Sequence, residues 1–578
     1  MGNNLNIYIA ADNIISSLGF TTRQNAEAIK TYCSGVKPDE SHTVSNELIP
    51  VARISDDKLK SGVDKYGLHT CTKAEQLIIL SINQLQEQYQ LNLSSPSSAL
   101  IISTTKGNID TLRNATEKPD NSVFLWNITQ KISDYYKLDK RVYLVSNACI
   151  SGISALIIAK RLLQSGTYRS VVVTGVDVLS HFITSGFASL KSLSAGVCRP
   201  YDTRRDGLNL SEACGSMLLT TDYCPDKAIL RGGAITNDAN HISGPSHTGD
   251  GLYYAMQAAM DEARLNPLDI DYINLHGTAT IYNDEMEDKA VYLARLQHVP
   301  INSLKPYLGH TLGASGIIET VLCIHQLKKG IVFGTLGYEK NGVSQPLNVS
   351  GIHRHLPLKT CVKTASGFGG CNAAIVLSME AFKEDNRPSD EVKIRSVKRC
   401  IIENNSIVVD EAPVLQSAAN DFAAFIREAY KVLGESNMKF YKMDDLSKLA
   451  YMAAAYLLKD RPLFNPLEIG IILANSVASL DTDIKHQQII DEGGNGASSP
   501  AVFVYTLPNV AAGEICIRHK IQGENTFFIE QEYSPEKLKK YVQLAMQNSR
   551  LNYCICGWCD FLNGKYKADF ELMAANKE

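Results

Sequence analysis

Cys149 is the residue of this sequence best suited to act as a nucleophile. It lies in residues 146–152, SNACISG, between an apolar strand-like run and a helical stretch. A turn of this kind exposes a thiol at the edge of a sheet and aims a helix N-terminus at the sulfur. Because helix N–H groups stabilise a thiolate over a thiol, we expect the pKa of Cys149 to fall below the ordinary value of about 8.5.

Two histidines follow strand-like runs in a similar way. His276 begins the run HGTAT at residues 276–280, and His310 lies in GHTLGASG at residues 309–316. Glycine lets the backbone and a substrate approach closely. A lone histidine at a strand end is more often structural than catalytic. One cysteine and two histidines in loops rich in glycine and hydroxyl groups indicate nucleophilic catalysis instead.

The elements that must position these residues are strands alternating with helices. Between about residues 6 and 382, strands are predicted at residues 98–102, 141–145 and 171–174, and a helix at residues 153–163. This spacing is typical of right-handed crossover units on a buried, mostly parallel sheet. The predicted fold class is therefore α/β.

A second, shorter segment is predicted after a polar linker. Residues 383–391, KEDNRPSDE, form the linker and separate domains at residues 1–382 and 392–578. Within the second domain, the runs 467–475 and 525–530 resemble the predicted strands 98–104 and 141–146, and aligning them sets Tyr533 opposite Cys149. We interpret this domain as an imperfect internal repeat. The alternative is two unrelated α/β segments whose patterns agree by chance.

Composition narrows the classes of partner. With a net charge of −4 over 578 residues, the protein has no overall positive potential that would attract nucleic acid or an anionic membrane. The longest apolar run, residues 449–458, is too short to span a bilayer. Fourteen scattered cysteines predict free thiols in a reducing cytoplasm. Cys554, Cys556 and Cys559 have no fourth ligand at zinc-site spacing, so we predict a buried strand there and no metal.

Five ordered motifs resemble those of the β-ketoacyl-acyl carrier protein synthases, the elongating condensing enzymes of the thiolase superfamily. They are the nucleophile turn, RPYD at residues 199–202 with Gly207 and Glu212, HGTAT, the lysine and GHTLGASG run, and GFGG at residues 367–370. The resemblance covers about residues 6–382. It implies a thiolase-like layered fold of two related βαβαβ halves, with a smaller C-terminal α/β domain attached.

The resemblance also implies a reaction. Cys149 would hold an acyl chain as a thioester, and a malonyl-type thioester would lose carbon dioxide and attack it. The implied catalytic residues are Cys149, His276, Lys305, His310 and Phe368. The implied substrate-binding residues are Thr278, Thr280 and Gly369. Structural support is implied for Glu212, Asp284 and Glu319. The backbone N–H groups of Cys149 and Phe368 would form the oxyanion hole.

The resemblance implies an acyl carrier protein as partner, with substrates carried on its phosphopantetheine arm and no other cofactor. It further implies a dimer, either of identical chains or with a second ketosynthase-like protein, in fatty acid, polyene or polyketide assembly. Residues 392–578 have no cysteine at the nucleophile position, no HGT histidine and no GFGG turn. We interpret them as a degenerate ketosynthase-like module that shapes subunit contacts or the acyl pocket.

Two other functions stay open at this point. A non-decarboxylating thiolase would use a second late cysteine as a base, and Cys371 lies near the glycine turn. A non-catalytic chain-length or acyl-binding subunit would share the fold. The presence of Cys149, His276, His310 and Lys305 together favours the condensing enzyme over both.

Overall fold

A computed structural model of the chain describes residues 5–44, 47–112, 120–139, 141–381, 392–459, 465–493 and 497–576. The predicted linker at residues 383–391 lies outside these ranges. All fourteen cysteines fall within them and are free thiols, as predicted. No helix in these ranges is both long and apolar enough to cross a membrane.

The elements fall into three successive units. The first contains β1 (Tyr8–Ile15), α1 (Thr22–Lys30), β2 (Lys37–Val44), β3 (Glu47–Val51), α2 (Asp56–Tyr66), α3 (Lys73–Gln88), β4 (Ser98–Ser103), α4 (Leu125–Tyr136), β5 (Val142–Val145), α5 (Ser151–Gln164), β6 (Ser170–Asp177), α6 (His181–Ser189) and β7 (Ala213–Thr220). The strands and the helix predicted in this unit are confirmed.

The second unit contains β8 (Ile229–Asn237), α7 (Asp250–Ala263), β9 (Tyr272–Asn274), α8 (Ile281–Leu293), β10 (Ile301–Asn302), α9 (Lys305–Leu308), α10 (Ser315–Lys329), β11 (Ile331–Val332), β12 (Arg354–His355), β13 (Thr360–Gly367) and β14 (Cys371–Ser378). The third contains β15 (Ile394–Glu403), β16 (Ser406–Val409), β17 (Ala412–Gln416), α11 (Phe422–Leu433), α12 (Asp445–Leu458), β18 (Ile469–Asn475), α13 (Leu480–Gly493), α14 (Pro500–Val504), α15 (Asn509–His519), β19 (Asn525–Ile529), α16 (Pro535–Gln547), β20 (Tyr553–Leu562) and β21 (Lys565–Ala575).

The three units share one sheet topology. In the first, the strand order is β5-β4-β6-β7-β1, with β4 parallel to both neighbours and the last two pairings antiparallel. The second repeats it as β10-β9-β13-β14-β8. The third repeats it as β19-β18-β20-β21-β15. The two related halves are confirmed, and the C-terminal residues follow the same path once more.

Two buried helices bring the catalytic loops of the first two units together. α5 packs on β6 and β14, α10 packs on β7 and β13, and the two helices cross each other. At the crossing, a Cβ on Gly316 would lie 2.5 Å from the backbone nitrogen of Ile153, so only glycine fits there. Because α5 begins two residues after Cys149 and α10 begins five after His310, this contact sets the thiol beside that imidazole.

The third unit extends the sheet of the first. β19 lies antiparallel to β5 with Phe528 opposite Val145, and the Ser146 N–H donates to the Phe527 carbonyl at 3.0 Å. The edge of β5, which ends just before the nucleophile turn, is therefore covered by the same chain.

Buried ion pairs secure this junction. Arg161 on α5 makes a bidentate contact with Glu524 at 2.8 and 2.7 Å, and Tyr541 accepts a further hydrogen bond from it at 2.9 Å. Lys106 after β4 pairs with Asp483 on α13 at 2.7 Å. Removing one member of such a pair leaves an uncompensated buried charge, so the first and third units depend on each other.

Candidate active site

The nucleophile turn between β5 and α5 is strained and tightly bonded. Ala148 adopts φ 47°, a left-handed conformation that costs free energy for a residue with a side chain. Ser151 stabilises it: its hydroxyl accepts from the Asn147 N–H at 2.8 Å and donates to the Ala148 carbonyl at 2.6 Å. The turn leaves Cys149 only partly buried, facing a cavity.

His310 lies directly against the thiol. Its Nε2 is 3.2 Å from the Cys149 Sγ. On the other side of the ring, the Leu312 N–H donates to Nδ1 at 3.3 Å. Since Nδ1 accepts, the neutral ring carries its proton on Nε2, which points to the sulfur. Burial, together with the charge of Lys305, holds the pKa of His310 well below its ordinary value, so the neutral ring is the form present at neutral pH.

His276 is arranged in the same way from the opposite side. Its ring centroid lies 5.0 Å from that of His310, at an interplanar angle of 83°. Lys305 approaches its Nδ1 at 3.3 Å, and a lysine nitrogen has N–H groups to donate. The proton of His276 is therefore also on Nε2. Burial and the charge of Lys305 lower its pKa well below the ordinary value.

A buried charge cluster supports the two imidazoles. Glu319 pairs with Lys305 at 2.7 Å and with Lys363 at 2.5 Å, and neither lysine side chain is more than 1% exposed. Burial lowers the pKa of Lys305, and the Glu319 carboxylate counters this shift. Lys363, on β13, is absent from the sequence prediction, because nothing in its local pattern separates it from a solvated lysine.

Two carboxylates of α8 accept hydrogen bonds from the loop that begins at His276 and from a neighbouring loop. Glu287 accepts from the backbone N–H groups of His276 at 2.7 Å and Gly277 at 2.8 Å. Asp284 accepts from the Tyr201 N–H at 2.7 Å, and burial followed by the charge of Glu287 raises the pKa of Asp284 to about 7. Glu287 therefore braces the loop of His276, and Asp284 braces the neighbouring loop that contains Tyr201.

The three groups open on a cavity of about 370 Å³. The Phe368 ring lines it and stacks on Phe187 with centroids 6.0 Å apart. Thr278 and Thr280 line it as well, with their hydroxyl oxygens 2.8 Å apart. A larger groove of about 570 Å³, lined mostly by residues of the second and third units, has none of the predicted functional residues in its lining.

Two predicted residues lie away from this cavity. Gly369, predicted to bind substrate, has its N–H bonded to the Ile242 carbonyl at 2.6 Å and its carbonyl bonded to Asn237 at 2.8 Å, so neither group is available to a substrate. Glu212 accepts from Lys73 at 2.6 Å and from the Ile54 N–H at 2.9 Å, and supports that loop rather than the histidines. The acid that bonds the histidine loop is Glu287, through the backbone N–H groups of His276 and Gly277.

The predicted direction of the Cys149 pKa is wrong. Burial is the largest influence and raises the pKa to about 12, although the charge of Lys305 acts in the opposite direction. Part of the residue is exposed to the cavity, but the surroundings of the sulfur are buried, and this burial acts against the thiolate. The resting group is a thiol.

Alkylation measures this directly. Below its pKa, the thiolate fraction rises about tenfold per pH unit. We expect iodoacetamide modification of Cys149 to accelerate about tenfold per unit from pH 7 to pH 9 without levelling off, with peptide mapping to separate it from the exposed Cys33. A rate that becomes constant near pH 8 would mean that the thiol ionises as an ordinary or activated cysteine.

The same three side chains have the composition of a metal site. The Cys149 Sγ and one ring nitrogen each of His276 and His310 lie within 4.8 Å of one another, the one such group in the described ranges. However, a metal on either Nε2 would displace the proton that the Nδ1 contacts place there. The arrangement suits two hydrogen-bond donors and a thiol.

Cys554, Cys556 and Cys559 lie on the buried strand β20, as predicted.

Comparison with protein families agrees with this geometry. Residues 101–223 match the β-ketoacyl synthase N-terminal domain, and residues 227–339 match the β-ketoacyl synthase C-terminal domain. These ranges contain Cys149, His276, Lys305, His310 and Glu319. The glycine turn and the third unit lie beyond them.

Two curated relatives extend the comparison. The polyketide biosynthesis malonyl-ACP decarboxylase PksF of Bacillus subtilis (strain 168) is 30% identical over 265 residues, which are 42% of this chain and 62% of that protein. The 3-oxoacyl-[acyl-carrier-protein] synthase 2 of Staphylococcus aureus (strain COL) is 31% identical over 248 residues, 40% of this chain and 59% of the relative. The chain thus spans about three fifths of the length of each.

One solved structure matches almost the whole chain. It is described as the PfaC keto synthase-chain length factor, and it aligns with 99% of this chain and 78% of its own, at a TM-score of 0.78 and 16% identity. At that identity the match shows the fold, including the thiolase-like arrangement of the three units. The two matching domains show that residues 101–223 and 227–339 are the N- and C-terminal domains of a β-ketoacyl synthase.

Proposed function

We propose that this protein catalyses the decarboxylative Claisen condensation of an acyl chain held on Cys149 with a malonyl-acyl carrier protein. The observation that carries the proposal is the convergence of one thiol and two neutral imidazoles on a single cavity, with the Cys149 Sγ 3.2 Å from the His310 Nε2. The proposal places the reaction in fatty acid, polyene or polyketide assembly.

In the first step, the sulfur of Cys149 attacks the acyl thioester of a carrier protein. Its proton passes to the departing pantetheine sulfur, and an acyl thioester forms on Cys149. The hydroxyls of Thr278 and Thr280, at the cavity wall, are positioned to bond the polar groups of a pantetheine arm. No other cofactor enters the reaction.

In the second step, a malonyl thioester loses carbon dioxide and leaves an enolate. Its negative oxygen accepts hydrogen bonds from the Nε2–H groups of His276 and His310. Neutral donors suit this role because their protons are already in place before the charge develops. Lys305 keeps the His276 proton on the correct nitrogen.

In the third step, the enolate carbon attacks the acyl carbon on Cys149, and the Cys149 sulfur departs as a thiolate, which takes up a proton from water to restore the thiol. The tetrahedral oxyanion is held by the backbone N–H groups of Cys149 and Phe368. A donor of this kind typically contributes about 3 kcal/mol to lowering the barrier. The product is a 3-oxoacyl chain, two carbons longer, on the carrier protein.

The third unit, residues 392–578, acts as an internal partner without a nucleophile. Tyr533 follows β19 where Cys149 follows β5, and its ring packs on Trp558 at 5.4 Å. Phe503 on α14 contacts Phe187, a cavity residue, edge to face at 5.4 Å. The unit therefore shapes the wall of the acyl pocket and covers the β5 edge.

Three alternatives are less well supported. A thiolase would need Cys371 as a base, but this thiol is buried and directed to the Phe368 carbonyl at 3.3 Å. A non-catalytic subunit has no use for a thiol and two imidazoles around an open cavity. A decarboxylase that forms no carbon–carbon bond, as the Bacillus relative is named, would need His276 and His310 but would leave Cys149 without a role.

The experiment supplies an acyl carrier protein loaded with a short acyl primer and a second one loaded with malonate. We expect a product two carbons longer than the primer and one carbon dioxide for each product. Carbon dioxide without elongation would favour the decarboxylase. Condensation of two acetyl-type thioesters without release of carbon dioxide would favour the thiolase. If neither carbon dioxide nor a condensed product forms, the non-catalytic subunit is favoured.

As in the sequence prediction, we assign the reaction to the cytoplasm.

A further inference from the structure

The third unit contributes one side chain to the catalytic glycine turn. Asn509 lies in the first turn of α15, and 1% of it is exposed to solvent. Its Nδ2 donates to the carbonyl of Phe368 at 2.8 Å. The acceptor is a carbonyl oxygen, so the amide orientation of Asn509 is determined by this contact.

The turn that follows β13 is anchored at each of its carbonyls. The Gly369 carbonyl accepts from Asn237 at 2.8 Å, and the Gly370 carbonyl accepts from the Asp238 N–H at 2.7 Å. Both of these donors belong to the second unit. The Phe368 carbonyl is held by Asn509 from the third unit, with the Cys371 thiol at 3.3 Å as a weaker second donor.

Asn509 holds in place the peptide group that follows Phe368. The carbonyl of the 368–369 peptide bonds to Asn509, and its N–H bonds to the Ile242 carbonyl at 2.6 Å. On the other side, Gly367 is paired with Cys371 in the β13–β14 ladder. Phe368 therefore lies between two fixed peptides, which determine the direction of both its N–H and its ring.

The turn and α15 are in direct contact. Gly369 has φ 88°, and a Cβ there would lie 2.7 Å from the Asn509 Nδ2. A Cβ on Gly513, one helical turn later, would lie 2.7 Å from the Gly369 carbonyl oxygen. Two glycines facing each other thus let the helix reach the turn, and a small displacement of α15 moves the turn with it.

We propose that Asn509 is a positioning residue, through which the third unit holds the Phe368 N–H and ring beside Cys149. This inference rests on the proposed function, in which the Phe368 N–H holds the oxyanion of the condensation step. It gives the nucleophile-free unit a part in catalysis through one identified hydrogen bond.

The test uses the full chain with Asn509→Ala and Asn509→Asp, because an aspartate has the same shape but no N–H to donate. Asn475 provides the matched control: it is buried in the same unit and its Nδ2 donates to the Ala478 carbonyl at 2.8 Å, far along the chain from the turn. Asn475→Ala therefore removes a comparable buried amide that the proposal gives no role in catalysis.

We expect both Asn509 variants to lower the kcat of condensation about 10- to 100-fold, as a misplaced reacting group does. The amount of carbon dioxide released should exceed the amount of elongated product in these variants. His276 and His310 still stabilise the enolate, whereas the oxyanion of the condensation step has lost a well-placed donor. Asn475→Ala should keep one carbon dioxide per product. A ratio of one in the Asn509 variants, or a kcat within twofold of the native value, would overturn the proposal.

A second readout needs no substrate. Hydrogen exchange of the peptide spanning residues 366–372 should be faster in Asn509→Ala than in Asn475→Ala or the native chain. Unchanged exchange would also overturn the proposal. If the native chain itself forms no product while the exchange result holds, the proposed function fails and the anchoring of the turn by Asn509 stands.

Discussion

Replacing Cys149 with alanine is expected to stop condensation while leaving decarboxylation in place. The thiol is the one group that forms a covalent bond with the acyl chain, so its loss should lower the rate of product formation on the order of 10⁴-fold or more. His276 and His310 keep their Nε2–H donors, because their Nδ1 partners are Lys305 and Leu312 and not the thiol. Carbon dioxide should therefore still be released from a malonyl-loaded carrier protein.

The control for this variant is Cys33→Ala, which removes an exposed thiol that does not line the cavity. It should retain native rates for both carbon dioxide release and elongation. If Cys149→Ala still elongates a primer, the covalent step does not pass through this residue. If it loses decarboxylation as well, then the thiol contributes to holding the enolate, contrary to the roles assigned here.

The second large effect is expected at the charge cluster beneath the histidines. Glu319→Gln leaves the Lys305 and Lys363 ammonium groups, whose side chains are 1% and 0% exposed, without their shared carboxylate. Breaking a buried pair in this way typically costs about 3–5 kcal/mol, and here two cations lose one partner. We expect a loss of that order in the free energy of unfolding, measured by guanidinium denaturation, and a lower condensation rate as the His276 contact loosens.

Two further variants make this prediction specific. Glu319→Gln combined with Lys363→Met removes one of the two uncompensated charges, and it should recover a substantial part of the lost stability. Glu380→Gln breaks a surface pair with Lys359, whose side chains are 58% and 65% exposed, and should change stability little. Equal stability of Glu319→Gln and Glu380→Gln would show that the buried cluster is not a charged network.

The sequence predicts those residues whose chemistry shows in a local pattern. Cys149, His276 and His310 stand in short glycine-rich runs after apolar strands, and the fold brings these runs to one cavity. Lys305 and Glu319 are predictable through their motif, fourteen residues apart. The repeat in the third unit is predictable because its strand runs keep their apolar character even where the nucleophile is missing.

Other features depend on contacts that no local pattern contains. Lys363 lies on a strand 44 residues after Glu319, and Asn509 reaches Phe368 from 141 residues away, so neither stands out in the sequence. Gly369 belongs to a glycine turn that is recognisable in the sequence. Which side of that turn faces the cavity, however, depends on how α15 packs against it. The direction of the Cys149 pKa depends on the burial of the sulfur, which the sequence does not show.

The most direct test of the central claim is the mass of the protein after incubation with an acyl-loaded carrier protein alone. We expect the chain to gain the mass of one acyl group, peptide mapping to locate it on Cys149, and a malonyl-loaded carrier protein to remove it as a chain two carbons longer. A protein that stays unmodified, or that carries the acyl group on Cys371, would show that Cys149 is not the acyl-carrying nucleophile.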